Sequence, residues 1–287
     1  MPELPEVEIV RRGLSNLVVG KVIKSVDFDW PKSFPNKMDQ VDEFVIGSMV
    51  MDVKRRAKVL IIDLSSGYSL LIHLKMTGQL VYRSNSLSFG AGHPTDSLVG
   101  SLPDSSTRVV FKFDDDSTLF FNDQRKFGWV KLINQKDLGG ILSIYGPEPL
   151  EKPFNKEVLK AALSKRPNTA IKAALLDQKV IAGIGNIYAD ECLWEAKIHP
   201  LTAARLLSDQ KIGLLAQVIK DVLSLAIKHG GSTDRNYVDA LGQKGSYLKF
   251  ANVFRKQGQS CPRCGHEIKK IRVAGRGTHY CPYCQRL

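Results

Sequence analysis

The stretch that decides the fold of the amino-terminal half reads Val59-Leu60-Ile61-Ile62-Asp63-Leu64, Ser65-Ser66-Gly67-Tyr68 and Ser69-Leu70-Leu71-Ile72-His73-Leu74. The two apolar runs have the composition of β-strands, and the segment between them supplies a turn. A second pair of runs, at 109–113 and 117–121, flanks three aspartates. Several short strands at this spacing predict an antiparallel sandwich or flattened barrel between residues 21 and 132.

The residues on either side of this β-rich region favour helices. Upstream, apolar residues recur at helical spacing over 5–19, and Pro5 suits the first turn of that helix. Downstream, the helical pattern recurs five times, at 155–164, 168–177, 186–195, 202–206 and 208–229.

Two other segments have the composition of loops. Residues 84–106 are rich in Ser, Gly, Pro and Asp and predict a flexible surface insert. Gly146-Pro147-Glu148-Pro149 interrupts the pattern and marks a linker. The predicted fold is therefore α+β and multidomain: a β-sandwich domain at 1–135, a linker at 136–150, a helical domain at 151–250 and a cysteine-containing module at 251–287.

The charge of the chain favours a polyanionic partner. Among 287 residues the formal net charge is +12, and the sequence pI is about 9.4. DNA and RNA are the commonest partners of such proteins, although ribosome-associated and membrane-surface proteins are also basic. There is no apolar run long enough for a membrane span and no secretory signal, so we expect a cytoplasmic, nucleoid-associated protein if the source is bacterial. No dimerisation element is evident, which favours a monomer.

The five cysteines predict a structural zinc site rather than disulfides. Two Cys-x2-Cys pairs, separated by sixteen residues, have the spacing of a zinc ribbon, and four thiolates complete a tetrahedral site. His266 and His279 are then bystanders, and the isolated Cys192 is expected to be a small buried hydrophobe. The predicted zinc ligands are Cys261, Cys264, Cys281 and Cys284.

Between the two cysteine pairs, Gly275 and Gly277 flank Arg276. Two glycines around an arginine are typical of a hairpin tip that projects the side chain outward. Such an arginine can bind a phosphate bidentately. The alternative is an ordinary solvated turn arginine, and the local sequence leaves both interpretations open.

The amino terminus carries a candidate nucleophile. Pro2 follows the initiator methionine, whose removal leaves a free secondary amine. An α-amino group titrates near pH 8, so a useful fraction is uncharged at neutrality and can attack a sugar carbon. Glu3 and Glu6 lie close enough in sequence to assist proton transfer. The same residues also suit an ordinary helix start, and their spacing alone does not discriminate.

Seven segments, in this order along the whole chain, resemble the formamidopyrimidine-DNA glycosylase family, bacterial and plant enzymes that repair 8-oxoguanine and ring-opened purines. Besides the zinc ribbon, they are Met1-Pro2-Glu3-Leu4-Pro5-Glu6-Val7-Glu8, Lys54-Arg55-Arg56-Ala57-Lys58, His73-Leu74-Lys75-Met76-Thr77-Gly78, Arg125-Lys126-Phe127-Gly128, Gly146-Pro147-Glu148-Pro149-Leu150 and Gly183-Ile184-Gly185-Asn186-Ile187-Tyr188.

The resemblance implies a β-sandwich domain, a helix–two-turn–helix domain and a zinc finger, with duplex DNA in the cleft between the two halves. It also implies roles for the catalytic candidates. Pro2 is expected to be the Schiff-base nucleophile, Glu3 the proton donor at the sugar and Glu6 a supporting carboxylate. Lys58 is expected to assist β-elimination, and Arg276 δ-elimination.

The resemblance further implies residues that fill the void left when a damaged base is flipped out. Met76 is expected to be a flexible filler and Phe127 an apolar wedge, while Arg125 bonds the orphaned cytosine. Without the resemblance, core packing for Met76 and Phe127 and a surface charge for Arg125 are the simpler interpretations. Their loop-like neighbourhoods favour exposure.

A phosphate-binding set is also implied. Asn186, at a predicted helix start, resembles the phosphate-clamping asparagine of the helix–two-turn–helix motif, and a helix amino end favours anions. An ordinary N-cap asparagine fits the same position. Lys165 and Arg166 precede another helix and are expected to contact phosphates as well.

The chain departs from the family pattern before the strand at 109. A His-x-His pair is common there, its first histidine contacting DNA, whereas this chain has Ser106-Thr107-Arg108. Arg108 could replace a phosphate contact. Gln124 and Lys126 also stand where Pro and Arg are common, and the insert at 84–106 is somewhat long.

Three alternative functions fit part of the sequence. An endonuclease VIII-like enzyme for oxidised pyrimidines is disfavoured by Leu4, where that branch typically has Gly. The 242–246 loop, which resembles a lesion-capping segment, also favours purine repair. A non-catalytic lesion-binding protein explains the charge and the zinc ribbon but needs no reactive amine at Pro2. A zinc-ribbon transcription or ribosomal factor leaves the first 150 residues unexplained.

Overall fold

The computed structural model describes residues 2–93, 95–232 and 247–287. The chain divides into two compact units. Among the described residues, the amino-terminal unit comprises those up to 142, and the carboxyl-terminal unit comprises 143–232 and 247–287. The predicted lesion-capping segment, 242–246, lies outside the described residues.

The amino-terminal unit is a β-sandwich with an added helix at its start. Its elements, in chain order, are α1 (Leu4–Val18), β1 (Ile23–Phe28), α2 (Met38–Phe44), β2 (Val50–Arg56), β3 (Val59–Leu64), β4 (Tyr68–His73), β5 (Gly78–Arg83), β6 (Ser88–Gly92), β7 (Thr107–Phe113), β8 (Thr118–Asp123), β9 (Trp129–Asn134) and α3 (Gln135–Leu142).

The strands form two antiparallel sheets, and the side chains between them form the core. One sheet has the strand order β1-β7-β8-β5-β6 and the other β2-β3-β4-β9. Along β3, Leu60 and Ile62 belong to this core, whereas Ile61 points to the opposite face, as the two-residue period of a strand requires. The core also takes Val10 and Leu14 from α1. The predicted antiparallel sandwich is therefore confirmed.

Residues 84–106 are not the flexible surface insert that their composition predicts. They contain β6, which pairs with β5, and a 3₁₀ turn at Asp96–Leu98. Phe89 is buried in the sandwich core, and Leu98 packs against Val81 and Phe120 on the other face of the sheet. The prediction was wrong because it considered only the polar and glycine-rich composition. Burial of Phe89 and Leu98, together with the hydrogen bonds from β5, is enough to order the segment.

The carboxyl-terminal unit is helical and ends in a β-hairpin. Ser208 caps the longest helix of the unit, and Asn155 caps the first one. Each side chain accepts a hydrogen bond from a backbone N–H group. The predicted helices are all present, the one at 202–206 as a 3₁₀ turn, whereas α2 and α3 of the amino-terminal unit were not predicted. The elements are α4 (Lys156–Leu163), α5 (Ile171–Leu176), α6 (Asn186–Glu195), α7 (Asp209–Lys228), β10 (Lys269–Val273) and β11 (Arg276–Tyr280).

The predicted combination of a β-sandwich, a helical domain and a cysteine module is thus confirmed as the fold class. The finer division into four segments stays a prediction, because the module with the cysteines lies in the same compact unit as the helices. Among the described residues, none of the helices combines the length and the apolar character that crossing a bilayer requires.

Candidate active site

The start of α1 places two carboxylates directly after Pro2. Pro2 is buried, and Glu3 and Glu6 are only 3% and 7% exposed. The Glu3 backbone N–H donates to Glu6 Oε2 at 2.8 Å, and the two residues form a reciprocal capping box. Both carboxylates therefore lie at the positive end of the helix dipole, where a negative charge is stabilised.

A buried lysine and a histidine form a second part of the site. Lys58 is 5% exposed. His73 accepts the Lys75 backbone N–H on Nδ1 at 3.0 Å, so its own ring proton resides on Nε2. Burial, together with the positive charges of Lys75 and Lys58, lowers the pKa of His73 to about 3. The imidazole is therefore neutral at physiological pH and presents one N–H donor beside Lys58.

His73 is a site residue that the sequence reasoning did not identify. It belongs to the same segment as Met76, the residue of that segment for which the sequence predicts a role. The signal that could have found it is the position of a histidine at the last residue of β4, across a strand pair from Val59 next to Lys58.

A buried aspartate builds the turn that carries Arg125 and Phe127. Asp123 is completely buried, and its carboxylate accepts the backbone N–H groups of Arg125, Phe127 and Gly128 at 3.1, 2.8 and 2.6 Å. Four residues of turn are thus held by one side chain, with Lys126 in the left-handed region at φ 57°. Sequence reasoning missed Asp123, whose role depends on the turn geometry.

This turn presents an aromatic ring to solvent. Phe127 is 53% exposed, and the Arg125 guanidinium lies 4.8 Å from the centre of its ring. Met76 is half-buried in the loop before β5, and the adjacent Thr77 hydroxyl donates to Asp123. The structure therefore links the Met76 loop to the Arg125–Phe127 turn through one carboxylate, and it excludes Phe127 from the core.

The carboxyl-terminal unit brings Asn186 and the Arg276 hairpin together. Asn186 is the first residue of α6, with Gly185 as the N-cap, and its Nδ2 donates to the Gly277 carbonyl at 3.0 Å. The hairpin turn consists of Ala274 and Gly275, both at positive φ, so Arg276 is the first residue of β11 and is exposed. The Asn186 Oδ1 atom is buried and has no hydrogen-bond partner among the residues that the structure describes.

Lys165 and Arg166 lie just beyond the end of α4, and both are exposed. Arg166 forms an ion pair with Asp177 at 3.2 Å. Asn186 is joined to the hairpin by its side chain, whereas these two residues belong to a different turn of the unit. Their proposed contact with DNA rests on charge and exposure.

The predicted phosphate contact of Arg108 is wrong. Arg108 is 4% exposed, and its Nε donates to the Asp123 carbonyl at 2.9 Å. The rest of the guanidinium pairs with Asp29 and with the Ser105 carbonyl. The Arg108 side chain is buried because its guanidinium donates to backbone carbonyls at Asp123 and Ser105, which need hydrogen-bond donors.

The four cysteines of the paired motifs fit a tetrahedral zinc ion. Their sulfur atoms all lie within 4.8 Å of one another, including pairs at 3.5 and 4.0 Å. Zn–S bonds of about 2.3 Å in a tetrahedron place sulfurs roughly 3.8 Å apart. His266 stacks on Tyr283, and His279 bonds to Asp190, so neither is needed as a ligand. The zinc-binding side chains are those of Cys261, Cys264, Cys281 and Cys284.

Three family models match consecutive parts of the chain. Residues 1–130 match the formamidopyrimidine-DNA glycosylase N-terminal domain, and residues 145–237 match the H2TH domain of the same enzymes. Residues 258–287 match the zinc finger found in FPG and IleRS. The chain belongs to the formamidopyrimidine-DNA glycosylase family. The resemblance seen in the sequence and the single structural zinc are both confirmed.

Relatives within the family match over their full length. A formamidopyrimidine-DNA glycosylase of Pelotomaculum thermopropionicum is 40% identical over 290 residues, covering 100% of both chains. A mutant of the Lactococcus lactis enzyme, in complex with Fapy-dG-containing DNA, has a TM-score of 0.87 and 36% identity, again covering 100% of both chains. A MutM structure in complex with DNA containing carbocyclic 8-oxo-G has the same TM-score, identity and coverage.

Each unit of this formamidopyrimidine-DNA glycosylase fold carries candidate residues of its own. The amino-terminal unit holds Pro2, the two glutamates, the Lys58–His73 pair and the Asp123 turn. The carboxyl-terminal unit holds Asn186 and Arg276. Sequence reasoning proposed all of these residues except two. It did not propose His73 or Asp123, whose positions depend on the folded strands and turns.

Proposed function

We propose that this chain is a bifunctional DNA glycosylase and AP lyase that removes oxidised purines, 8-oxoguanine and formamidopyrimidines, from duplex DNA. The observation that carries the proposal is the start of α1, where Pro2 is followed by a fixed pair of buried carboxylates. Support for the substrate comes from full-length relatives of the family whose complexes contain DNA with Fapy-dG and with 8-oxo-G.

The first chemical step uses the amino terminus. Removal of the initiator methionine frees the secondary amine of Pro2, whose nitrogen attacks C1′ as the bond from C1′ to the base breaks. The electron pair of that bond leaves with the base. Opening of the sugar ring requires a proton at O4′, which Glu3 supplies, and Glu6 holds Glu3 in place through the capping box. The product is an iminium ion between Pro2 and the sugar.

Strand cleavage follows from this iminium ion. Loss of a proton from C2′ allows the bond to the 3′ phosphate to break, and Lys58 assists this β-elimination. A second elimination at the 5′ side releases the sugar, assisted by Arg276. The Nε2–H of His73 is a donor to the DNA backbone beside Lys58, because Nδ1 already accepts the Lys75 N–H.

Extrusion of the base leaves a gap in the duplex. Phe127, half of whose surface is exposed on a rigid turn, is suited to enter the base stack. Met76 fills the remaining space and Arg125 bonds the orphaned cytosine. Asn186, Lys165 and Arg166 hold phosphates. The zinc ion contributes folding energy to the hairpin that carries Arg276 and takes no part in the chemistry.

The proposal extends to assembly and location. We infer a monomer that acts on chromosomal DNA in the bacterial cytoplasm, in keeping with the net charge of +12. Size-exclusion chromatography with light scattering, on protein alone and with a lesion-containing duplex, tests the stoichiometry. A stable dimer would contradict it.

The decisive experiment is borohydride trapping on duplexes that contain 8-oxoguanine or an oxidised pyrimidine. The parent is expected to form a covalent adduct, and faster on 8-oxoguanine. Pro2→Gly is expected to lose most strand cleavage while still binding DNA. Pro5→Ala is the matched control, because Pro5 is a proline three residues further on, in the first turn of α1, and carries no free amine. Binding without any adduct would favour the non-catalytic alternative, and preference for the pyrimidine would favour the endonuclease VIII-like one.

A further inference from the structure

The direction of α1 follows from its contacts with β6. A Cβ atom on Gly13 would overlap the ring of Phe89, so the helix lies directly on this strand. Towards its carboxyl end, Asn16 lines an open cleft of about 640 Å³ together with Tyr82 and Leu87, at the turn that joins β5 to β6. The helix therefore runs antiparallel to β6, and its amino end points to the residues that follow β6.

The first residue after β6 is His93, and its backbone is fixed. Its N–H donates to the Gly78 carbonyl at 3.1 Å, and its own carbonyl accepts from the Gln79 side chain. Gln79 is 1% exposed and also donates to Thr95 at 2.6 Å. Gly92 allows this close approach, because a Cβ atom there would overlap the Gly78 oxygen. His93 is thus anchored at the start of β5.

The same sheet places His93 in line with the turn that carries Phe127. Gly78 of β5 pairs with Asp123 of β8 on its other side, so His93, just beyond the end of β6, lies in one row with Gly78 and Asp123. The charge of Asp123 acts on the imidazole, which agrees with this placement. Burial lowers the pKa of His93, and the negative charge of Asp123 opposes this change. The imidazole is therefore neutral at physiological pH.

We propose that His93 is the proton acceptor for the Pro2 amine during Schiff-base formation. This rests on the function proposed above. The Pro2 nitrogen carries one N–H when it attacks C1′, and it becomes positively charged and more acidic as the new bond forms. The proton then passes to the imidazole, and the electron pair of the N–H bond stays on nitrogen.

That electron pair becomes the second bond between nitrogen and C1′ as the C1′–O4′ bond breaks. The pair of the C1′–O4′ bond goes to O4′, which Glu3 protonates. His93, now protonated, releases its proton to water before the next turnover. The segment at 84–106 therefore has a function in this chain: it delivers a base to the catalytic amine.

The test measures the rate of borohydride trapping in His93→Ala at saturating lesion-containing duplex. A general base contributes on the order of 10²-fold, so we expect a loss of roughly that size with duplex binding unchanged. Added imidazole is expected to restore the rate, and a series of substituted imidazoles is expected to restore it in order of their basicity. His93→Gln, which accepts a hydrogen bond but no proton, should remain slow.

Thr95→Val is the matched control, because it removes the hydrogen bond from Gln79 in the same segment and leaves the imidazole intact. It should trap at the parent rate. Trapping by His93→Ala at the parent rate would overturn the proposal, and so would a loss that no imidazole restores. Failure of the parent itself to form an adduct would instead reject the proposed function, and His93 with it.

Discussion

Lys172 and Asp190 form an ion pair in which both side chains are completely buried, with Nζ 2.6 Å from Oδ1. The lysine also donates to Thr278 Oγ1 at 2.8 Å and to the Gly277 carbonyl at 3.2 Å. The second oxygen of Asp190 accepts the backbone N–H of His279 at 2.9 Å. One ion pair therefore ties α5 and α6 to β11, the strand that begins with Arg276.

Replacing Lys172 by Met is expected to destabilise the protein strongly. The substitution removes the ammonium group that pairs with the buried Asp190 carboxylate, and breaking a buried ion pair in this way typically costs about 3–5 kcal/mol. Urea denaturation of the zinc-loaded protein measures the change in the free energy of unfolding. Lys179→Met, at an exposed position of the same unit, should lie within about 0.5 kcal/mol of the parent. Equal stability of the two variants would show that Asp190 is neutralised in another way.

Removal of zinc is expected to abolish DNA binding while the β-sandwich stays folded. The four thiolates hold a module too short to build its own core, so a chelator should unfold the hairpin that carries Arg276. Circular dichroism measures how much of the protein stays folded, and a colorimetric assay measures the zinc that the chelator releases. Cys264→Ser should behave as the chelated protein does, whereas Cys192→Ser leaves the metal content unchanged. Full binding by metal-free protein would contradict the structural role.

Phe127→Ala is expected to lose lesion excision without losing stability. Because the ring is 53% exposed, its removal should change the free energy of unfolding by no more than about 0.5 kcal/mol. Excision should fall because the wedge that supports the distorted duplex is gone. Single-turnover excision of 8-oxoguanine and urea denaturation give the two values. Leu206→Ala, at a 63% exposed position, is the control that should change neither.

The stability of the protein is expected to depend on pH through His73. Its pKa is about 3 in the folded state and near 6.5 in the unfolded state, so the unfolded chain binds the extra proton between these values. The contribution of the neutral imidazole is fully present above pH 6.5 and is lost as the pH falls towards 3. Between pH 7 and pH 5 the loss should be about 2 kcal/mol.

His73→Asn isolates this effect, because its side-chain oxygen can still accept the Lys75 N–H while no proton is gained. Urea denaturation of parent and variant at pH 7 and pH 5 provides the comparison, since other titrating groups are common to both. The parent should lose more stability than the variant on acidification. A parallel loss in the two proteins would mean that His73 protonates in the folded state without penalty.

Several features of this protein depend on neighbours in sequence, and these were predictable. The strand pair at 59–64 and 69–74 is defined by two apolar runs around a short turn. The zinc site is defined by two cysteine pairs, because each pair needs only a tight turn to direct both sulfurs to one ion. The role of Pro2 stays a prediction: its position after the initiator methionine suggests a reactive amine, and the resemblance to the family favours that role over an ordinary helix start.

The tertiary structure alone decided the remaining features, because they depend on strands and helices that are distant in the chain. The polar and glycine-rich composition of residues 84–106 did not predict β6. This strand forms because it pairs with the edge of β5 and because Phe89 packs into the core. Asp123 and His73 acquire their roles from turns and burial, and Lys172 meets Asp190 only when α5 and α6 pack. Buried polar groups need hydrogen-bond partners, and these partners come from segments that are distant in the chain. The local sequence therefore does not predict which partner a buried group has.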